Sequence, residues 1–402
     1  VADRPTFGAQ LRRLRISAGF SLSELARRMH YSKGYLSKIE TGLQPPGEDL
    51  ARRCDAELGA DGALMALLPT RRQPAAEPKL AVGRREMLMF GAASLLGGRP
   101  MSANGYTHQS IPALRAMFDE LRRLGALASP SLVLPMVVAQ VQALRSLVSE
   151  VDSKAGRQLT MLAARNAEFA GWMAQEAGDP GAARWWTSYA VGLAVEAGDN
   201  GLAKYELVRH ALITLYQHDA SSTVVLAQRA QADSSTHPRI RGLAAQREAQ
   251  GHALAGDHTK CMRSLERATE LLSEAAAELT DSPVVGTSTV AGPVGVVTGW
   301  CLCDLGRPAE AAEILDREVA KIPRTGLRSW TRFSVRQALA HAAAGEIDHA
   351  CQLTRQVLDA AVAVDSDTVA SDLGRLRATL RRWHNHPAVR DLDPDLAVAA
   401  AR

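Results

Sequence analysis

Aromatic residues are scarce: Phe, Trp and Tyr together make up 4% of the 402 residues. Sheets draw heavily on aromatic and β-branched side chains, so this scarcity favours Ala- and Leu-rich helices. Cysteine is scarce too. Cys54, Cys261, Cys301, Cys303 and Cys351 are odd in number, scattered and without a CxxC pair, which argues against a disulfide framework and for a reducing compartment. Catalytic signatures are missing: there is no Walker loop, GxGxxG, HExxH or GxSxG, and "GTSTVAG" lacks the second Gly a nucleophile elbow needs. Cys301 and Cys303 are two apart on an expected helix and point to different faces. "WHNHP" (Trp383–Pro387) offers two histidines but no further ligand cluster nearby. The expectation is a protein that is not an enzyme and uses no metal and no cofactor.

One apolar stretch could mislead. "GRREMLMFGAASLLGGRP" (Gly83–Pro100) looks like a twin-arginine export signal, but it begins more than eighty residues into the chain. Its apolar part is too short to span a bilayer. A buried or hinge-packing helix is expected there, in a cytoplasmic protein without membrane contact. Acidic charge is thin at the start. Residues 1–45 carry eight basic residues against three acidic ones, while the whole chain has a net charge of +4. A basic head on a near-neutral body points to a polyanion partner for the head alone. The basic residues are mostly Arg, a codon-usage signature of high-GC genomes that is no guide to mechanism.

What is present begins with "SLSELARRMHYSKGYLSKIETG" (Ser21–Gly42). Leu22, Leu25, Ala26 and Met29 follow the spacing of one apolar helix face, and Ser21 with Glu24 forms a capping box that fixes the start. Ser32 can cap a second helix, whose inward face is Leu36 and Ile39 and which Gly42 ends. Two helices this short are unstable alone; Phe7, Leu11 and Leu14 of the preceding segment supply a third surface. Ser32, Lys33, Gly34, Tyr35, Ser37 and Lys38 then face outward, small or donor-bearing groups of the kind a major-groove reader presents.

"LRRLRISAGFSLSELARRMHYSKGYLSKIETGLQPPGEDLARRCDAELGA" resembles the helix-turn-helix family of the phage lambda and 434 repressors and the xenobiotic-response-element regulators, over about residues 6–68. The resemblance implies a five-helix domain with later helices around Pro46–Leu58 and Asp61–Leu68, and a pairing of Glu40 with Arg15. It implies that Ser32, Lys33, Tyr35, Ser37 and Lys38 face DNA while Arg12, Arg13 and Ser23 touch phosphates. His30 stands where the family usually has Gly, at a turn that His can adopt.

Beyond a Pro-, Ala- and Arg-containing linker, breaks recur at Gly178-Asp179, His218-Asp219, Gly256-Asp257, Gly306-Arg307 and Gly345-Glu346. Their period is near forty, apart from one interval enlarged by "DSPVVGTSTVAGP" (Asp281–Pro293). Five residues after each break stands a small residue: Ala183, Thr223, Cys261, Ala311 and Ala350. This is the pattern of stacked helical hairpins, each burying its face against neighbours. "GWMAQEAGDPGAARWWTSYAVGLA" and "GWCLCDLGRPAEAAEILDREVA" resemble tetratricopeptide repeats, with Gly171 and Gly299 seven residues before the turn. The expected fold is all-α: a helix-turn-helix domain at 1–68, a linker with a short apolar helix at 69–105, and a tetratricopeptide-like α-solenoid of five or six hairpins at 106–402.

The concave face of such a solenoid is lined by the first helix of each pair. Arg165, Asn166, Trp172, Gln246, Gln250, Trp300 and Arg332 are the candidate ligand contacts, the amides for a peptide backbone and the arginines for a carboxylate. The domain order resembles the peptide-sensing quorum regulators (the Rgg, NprR, PlcR and PrgX group). It implies a homodimer that binds an inverted-repeat operator in double-stranded DNA and responds to a signalling peptide or small molecule. The alternative is a protein-docking scaffold tethered by its helix-turn-helix domain, without a small ligand.

Overall fold

The computed structural model describes residues 7–28, 33–40, 48–60, 62–64, 67, 103–148, 151, 153–199, 201–277, 290 and 292–401. Helices account for nearly all of them, and no strand occurs among them. The chain divides into two compact units, Val1–Ala81 and Val82–Arg402, with the division inside the expected linker. The apolar stretch at 83–100 and the His30 turn lie outside the described residues, and of the helix expected over Asp61–Leu68 only residues 62–64, in a turn, and 67 are described.

The first unit contains α1 (Phe7–Ser17), α2 (Leu22–Arg28), α3 (Lys33–Glu40) and α4 (Glu48–Leu58). Phe7, Leu11, Leu25, Ala26, Leu36, Ile39, Leu50, Ala51, Cys54 and Leu64 form its core.

The second unit is a run of seven helical hairpins among the described residues. The first pairs α5 (Ala103–Gly125) with α6 (Pro130–Val148), the second α7 (Ser153–Glu176) with α8 (Pro180–Glu196), and the third α9 (Gly201–Tyr216) with α10 (Ala220–Gln231). Next come α11 (Pro238–Leu254) with α12 (His258–Ala277), and α13 (Pro293–Asp304) with α14 (Pro308–Val319). The last two are α15 (Leu327–Ala344) with α16 (Ile347–Val364), and α17 (Asp367–Leu380) with α18 (Pro387–Ala400). The first and last hairpins lack the sequence signal of the middle five. By length and composition alone α6, with hydropathy 1.5, is apolar enough to cross a membrane; here it packs on α7 and buries Val133, Val137, Val141 and Leu144.

The five recurring breaks have one physical form. His218 sits at φ 57°, and Gly178, Gly256, Gly306 and Gly345 at 78°, 79°, 74° and 91°. A left-handed residue reverses the chain so that orphan carbonyls of the helix end are satisfied: Gly178 N–H donates to Gln175 O and Asp179 N–H to Ala174 O. At three of the breaks the following aspartate then starts the next helix, whereas Arg307 and Glu346 make no side-chain cap. Asp179, Asp219 and Asp257 accept from the backbone N–H groups of Ala182, Ser222 and Lys260 at 2.8, 3.0 and 3.0 Å. A Gly-Asp pair is thus a stop and a start in two residues.

The small residues after each break are the crossing points. Ala183, Thr223, Cys261, Ala311 and Ala350 have no exposed surface. Opposite Ala183 lies Gly171, where an added Cβ would stand 3.0 Å from Thr187 Oγ1 and 3.2 Å from Ala183 O. Close approach replaces large side chains as the source of contact along much of the array. Fully buried leucines such as Leu159, Leu315 and Leu373 each contribute roughly 1.5–3 kcal/mol.

The hairpins curl until the first two meet the last two. Arg328, 1% exposed on α15, donates its backbone N–H to Ala126 O at 2.8 Å and its Nε to Gly125 O at 2.8 Å; its guanidinium also donates to Ala128 O. Glu176, at the end of α7, is equally buried. It accepts from Arg332 at 2.5 Å, Trp172 Nε1 at 3.0 Å, Ser366 Oγ at 2.5 Å and Thr368 Oγ1 at 3.1 Å, with Arg328 at 3.4 Å. Burial by itself raises the Glu176 carboxyl, but Arg332 and Arg328 outweigh it and hold the group down to about 2 from 4.5. Its stabilisation is therefore complete above the ordinary carboxylate value and is lost as pH falls from about 4.5 towards 2.

Glu176→Gln leaves two buried guanidinium groups without their anion. It should destabilise the repeat unit by about 3–5 kcal/mol, read from denaturant unfolding of the full chain. A loss under about 1 kcal/mol would show that the closure does not depend on this charge. The same variant should flatten the wild-type fall in stability between about pH 4.5 and pH 2.

Candidate functional site

Three regions carry candidate functional side chains, one in the first unit and two in the second. In the first, Ser21 and Glu24 make the reciprocal cap: Ser21 N–H donates to Glu24 Oε2 at 2.8 Å and Glu24 N–H to Ser21 Oγ at 3.2 Å. The start of α2 is thereby fixed. The end of α3 is fixed by Arg15, whose Nε and Nη2 donate to the two oxygens of Glu40 at 2.6 and 2.9 Å. Arg15 also donates to Phe20 O at 2.9 Å, which ties the α1–α2 turn into the same contact. Hydrogen bonding to Glu40 raises the Arg15 guanidinium above its usual value, against a smaller effect of burial.

Of the residues expected at DNA, Arg12, Arg13 and Ser23 are exposed, on α1 and α2, and Ser37 is half-buried on α3. Lys33, Tyr35 and Lys38 lie on α3 with side chains outside the described residues, and Ser32 lies outside them altogether. Arg28 is engaged within the domain, where it pairs with Glu57 on α4 at 2.8 Å and covers the Phe20 ring at 4.7 Å.

One residue that sequence reasoning missed is Gly8. A Cβ at this position would lie 2.4 Å from Ile39 O and 2.7 Å from Glu40 O. The start of α1 therefore rests directly on the last turn of α3.

In the second unit, the curl forms a half-open cavity of about 560 Å³, lined mostly from the first helices of six successive hairpins, α5, α7, α9, α11, α13 and α15, with Leu272 of α12. This volume lies in the range of small-molecule sites. Trp172, Gln246, Trp300 and Arg332 line it. Arg165, Asn166 and Gln250 do not. Arg165 is 3.6 Å from Asp199, Asn166 is fully buried and donates to Leu162 O at 2.9 Å, and Gln250 is fully buried beyond the cavity wall.

Sequence reasoning missed most of the wall's charge. Arg122, Arg123, Arg209, Arg239, Arg247 and Arg328 join Arg332 there, against Asp119 and Glu168. Their helical spacing offers a signal, as in Arg239 with Arg247 and Arg328 with Arg332, but it becomes readable only once the inward face is known. Arg209 is 3.7 Å from Glu168 and donates to Gln175 at 2.9 Å. Burial lowers Arg239, and lowers Arg328 despite Glu176; Arg332 is burdened by burial too but ends raised because Glu176 is so close. Burial also brings Arg247 down to about 10. Trp172, Trp300, Phe169 and Phe333 supply flat apolar wall between the charges, and Arg336 stacks 3.1 Å from the Trp300 ring centre.

A third cluster lies elsewhere in this unit. Asp316 on α14, His341 on α15 and His349 on α16 each bring a ligand atom within 4.8 Å of the others. His341 Nε2 is 2.9 Å from Asp316 Oδ1, and its Nδ1 is 2.6 Å from Glu346 Oε2. Such a donor set suits a divalent transition metal, and the same contacts tie three consecutive helices together. Its members are distant in sequence, so no spacing pattern reveals them.

Gly8→Ala should destabilise the first unit by about 3 kcal/mol, the upper end for an added core methylene, because backbone carbonyls cannot rotate aside. Hydrogen exchange of α1 and α3 in the full chain reads it; wild-type protection in the variant would refute the close approach.

Residues 6–68 match the family model described as a helix-turn-helix domain. No curated protein sequence matches the chain. Among solved structures it is similar to a Rap protein complexed with Competence and Sporulation Factor, at TM-score 0.46 and 10% identity, covering 72% of this chain and 98% of that one. It is also similar to Bacillus thuringiensis PlcR in complex with the peptide PapR7 and DNA, at TM-score 0.36 and 9% identity, covering 98% of this chain and 94% of that one. The first unit of the chain thus holds a helix-turn-helix domain, at residues 6–68.

Proposed function

We propose that the protein is a cytoplasmic, non-enzymatic transcription regulator that binds specific double-stranded DNA and changes its binding when its repeat domain takes up a ligand. The observation that carries this reading is the helix-turn-helix match over residues 6–68. It is supported by the capped start of α2 and the clamped end of α3. In this reading α3 enters the major groove, with Ser32, Lys33, Tyr35, Ser37 and Lys38 at base edges and Arg12, Arg13 and Ser23 on phosphates. Two copies bind an inverted repeat whose half-sites lie about 34 Å apart.

The ligand, a peptide or small signalling molecule, occupies the cavity of the second unit. A half-open cavity of about 560 Å³ shared by six helices supports sensing over the docking-scaffold alternative. Control requires that the ligand bind one arrangement of the dimer more tightly than another, since equal affinity shifts nothing.

On operator fragments selected from genomic DNA by the full-length protein, Lys33→Ala should cost about 1–3 kcal/mol and relax base preference at one position. Arg12→Ala should weaken binding to all sequences alike and lower the salt slope by about 1. Fluorescence anisotropy over a salt series separates the two effects. Wild-type affinity in both variants would sink the contact assignment.

A further inference from the structure

The wall of the cavity carries seven arginines against two carboxylates. Part of that charge is neutralised by neighbours. Arg328 and Arg332 have Glu176, Arg209 has Glu168, and Arg123 pairs with Glu120 at 2.6 Å. Arg247 is different. Among the described residues it makes no ion pair; desolvation is the largest burden on its charge, Tyr216 and Tyr205 offset part of it, and Arg332 and Arg209 add to it. The neighbouring side chain Gln246 is 1% exposed, and its Nε2 has no hydrogen-bond partner. The Nε of Arg332 has none either.

A half-buried cation without an anion and a fully buried amide donor without an acceptor are both costly. Here these groups line one cavity, all are donors, and no acceptor on the wall answers them. What relieves all of them together is an anionic acceptor from outside the chain. The remaining wall is apolar and flat, with Trp172, Trp300 and Phe333 on three different helices. Resting on the reading of the cavity as a ligand site, we infer that it takes a small amphipathic organic anion. Its acidic group is held by Arg247, Gln246 and Arg332, and its apolar body lies against the two tryptophans and Phe333.

The acidic group can be a carboxylate or a phosphate, since arginine holds either. The test uses 8-anilinonaphthalene-1-sulfonate, an anion on an apolar ring system, and N-phenyl-1-naphthylamine, which has the same rings without the sulfonate. Fluorescence titration of the full-length protein near neutral pH should give saturable binding of the anion, tighter than the neutral probe by about tenfold or more. Arg247→Gln should weaken the anion by about tenfold and leave the neutral probe within about twofold, which also shows that the cavity is folded. Arg247→Lys, which keeps the charge, should retain most of the preference. Displacement by decyl phosphate in preference to decanoate assigns a phosphate, and the reverse order a carboxylate.

Equal affinity for the two probes, or an anion affinity that Arg247→Gln leaves unchanged, overturns the inference while the cavity stands as a ligand site. If neither probe binds, the inference falls together with the cavity's sensing role; the DNA-binding reading is tested separately on operator DNA.

Discussion

A carboxylate buried among apolar helices is unfavourable unless cations and hydroxyls come to it, and Glu176 receives them from far along the chain. Arg328 and Arg332 come from α15, and Ser366 and Thr368 from the start of α17. Each donor is held by its own hairpin, so the contact forms only when the stack has curled through the full arc between α7 and α17. Stacked repeats ordinarily feel only their neighbours, and such arrays melt piecemeal. A buried ion pair across the arc adds a long-range term, so loosening any hairpin between these helices strains the same contact. Breaking it is costly because the cations left behind have no other anion.

The cavity follows from that closure. First helices face inward in any curved stack, but only a tight curl brings α5 and α15 close enough to share one cavity with the helices between them. Arg332 belongs to both structures: it lines the cavity and also holds Glu176. Any anion in the cavity would share this guanidinium with Glu176. Such occupancy would be coupled to closure through one side chain, without a chain of intermediaries.

Features set by neighbours a few residues apart were readable before the fold was known. The Ser21–Glu24 cap, the recurring breaks and the small residue five positions on are local rules of helix ends and helix crossings. The Arg15–Glu40 pair came through family resemblance. The cavity was legible only in part, because its depth is finite and its inward face depends on curvature. Arg165 lies two turns before Trp172 on the same face of α7 and has already left the cavity to meet Asp199. Gln250 continues the face of Gln246 one turn on, past the wall. Asn166 points to another side of α7, into packed helix. The arginine excess looked like composition alone, since nothing in sequence tells which arginines a curl will gather.

Closure also bears on how such a chain can change in length. An open stack of hairpins accepts another unit, or loses one, at little more than the cost of a new interface. Here one extra hairpin between α7 and α15 would carry Arg328 and Arg332 past Glu176, and one fewer would leave them short of it. The hairpins between these helices are thus fixed in number by a single carboxylate.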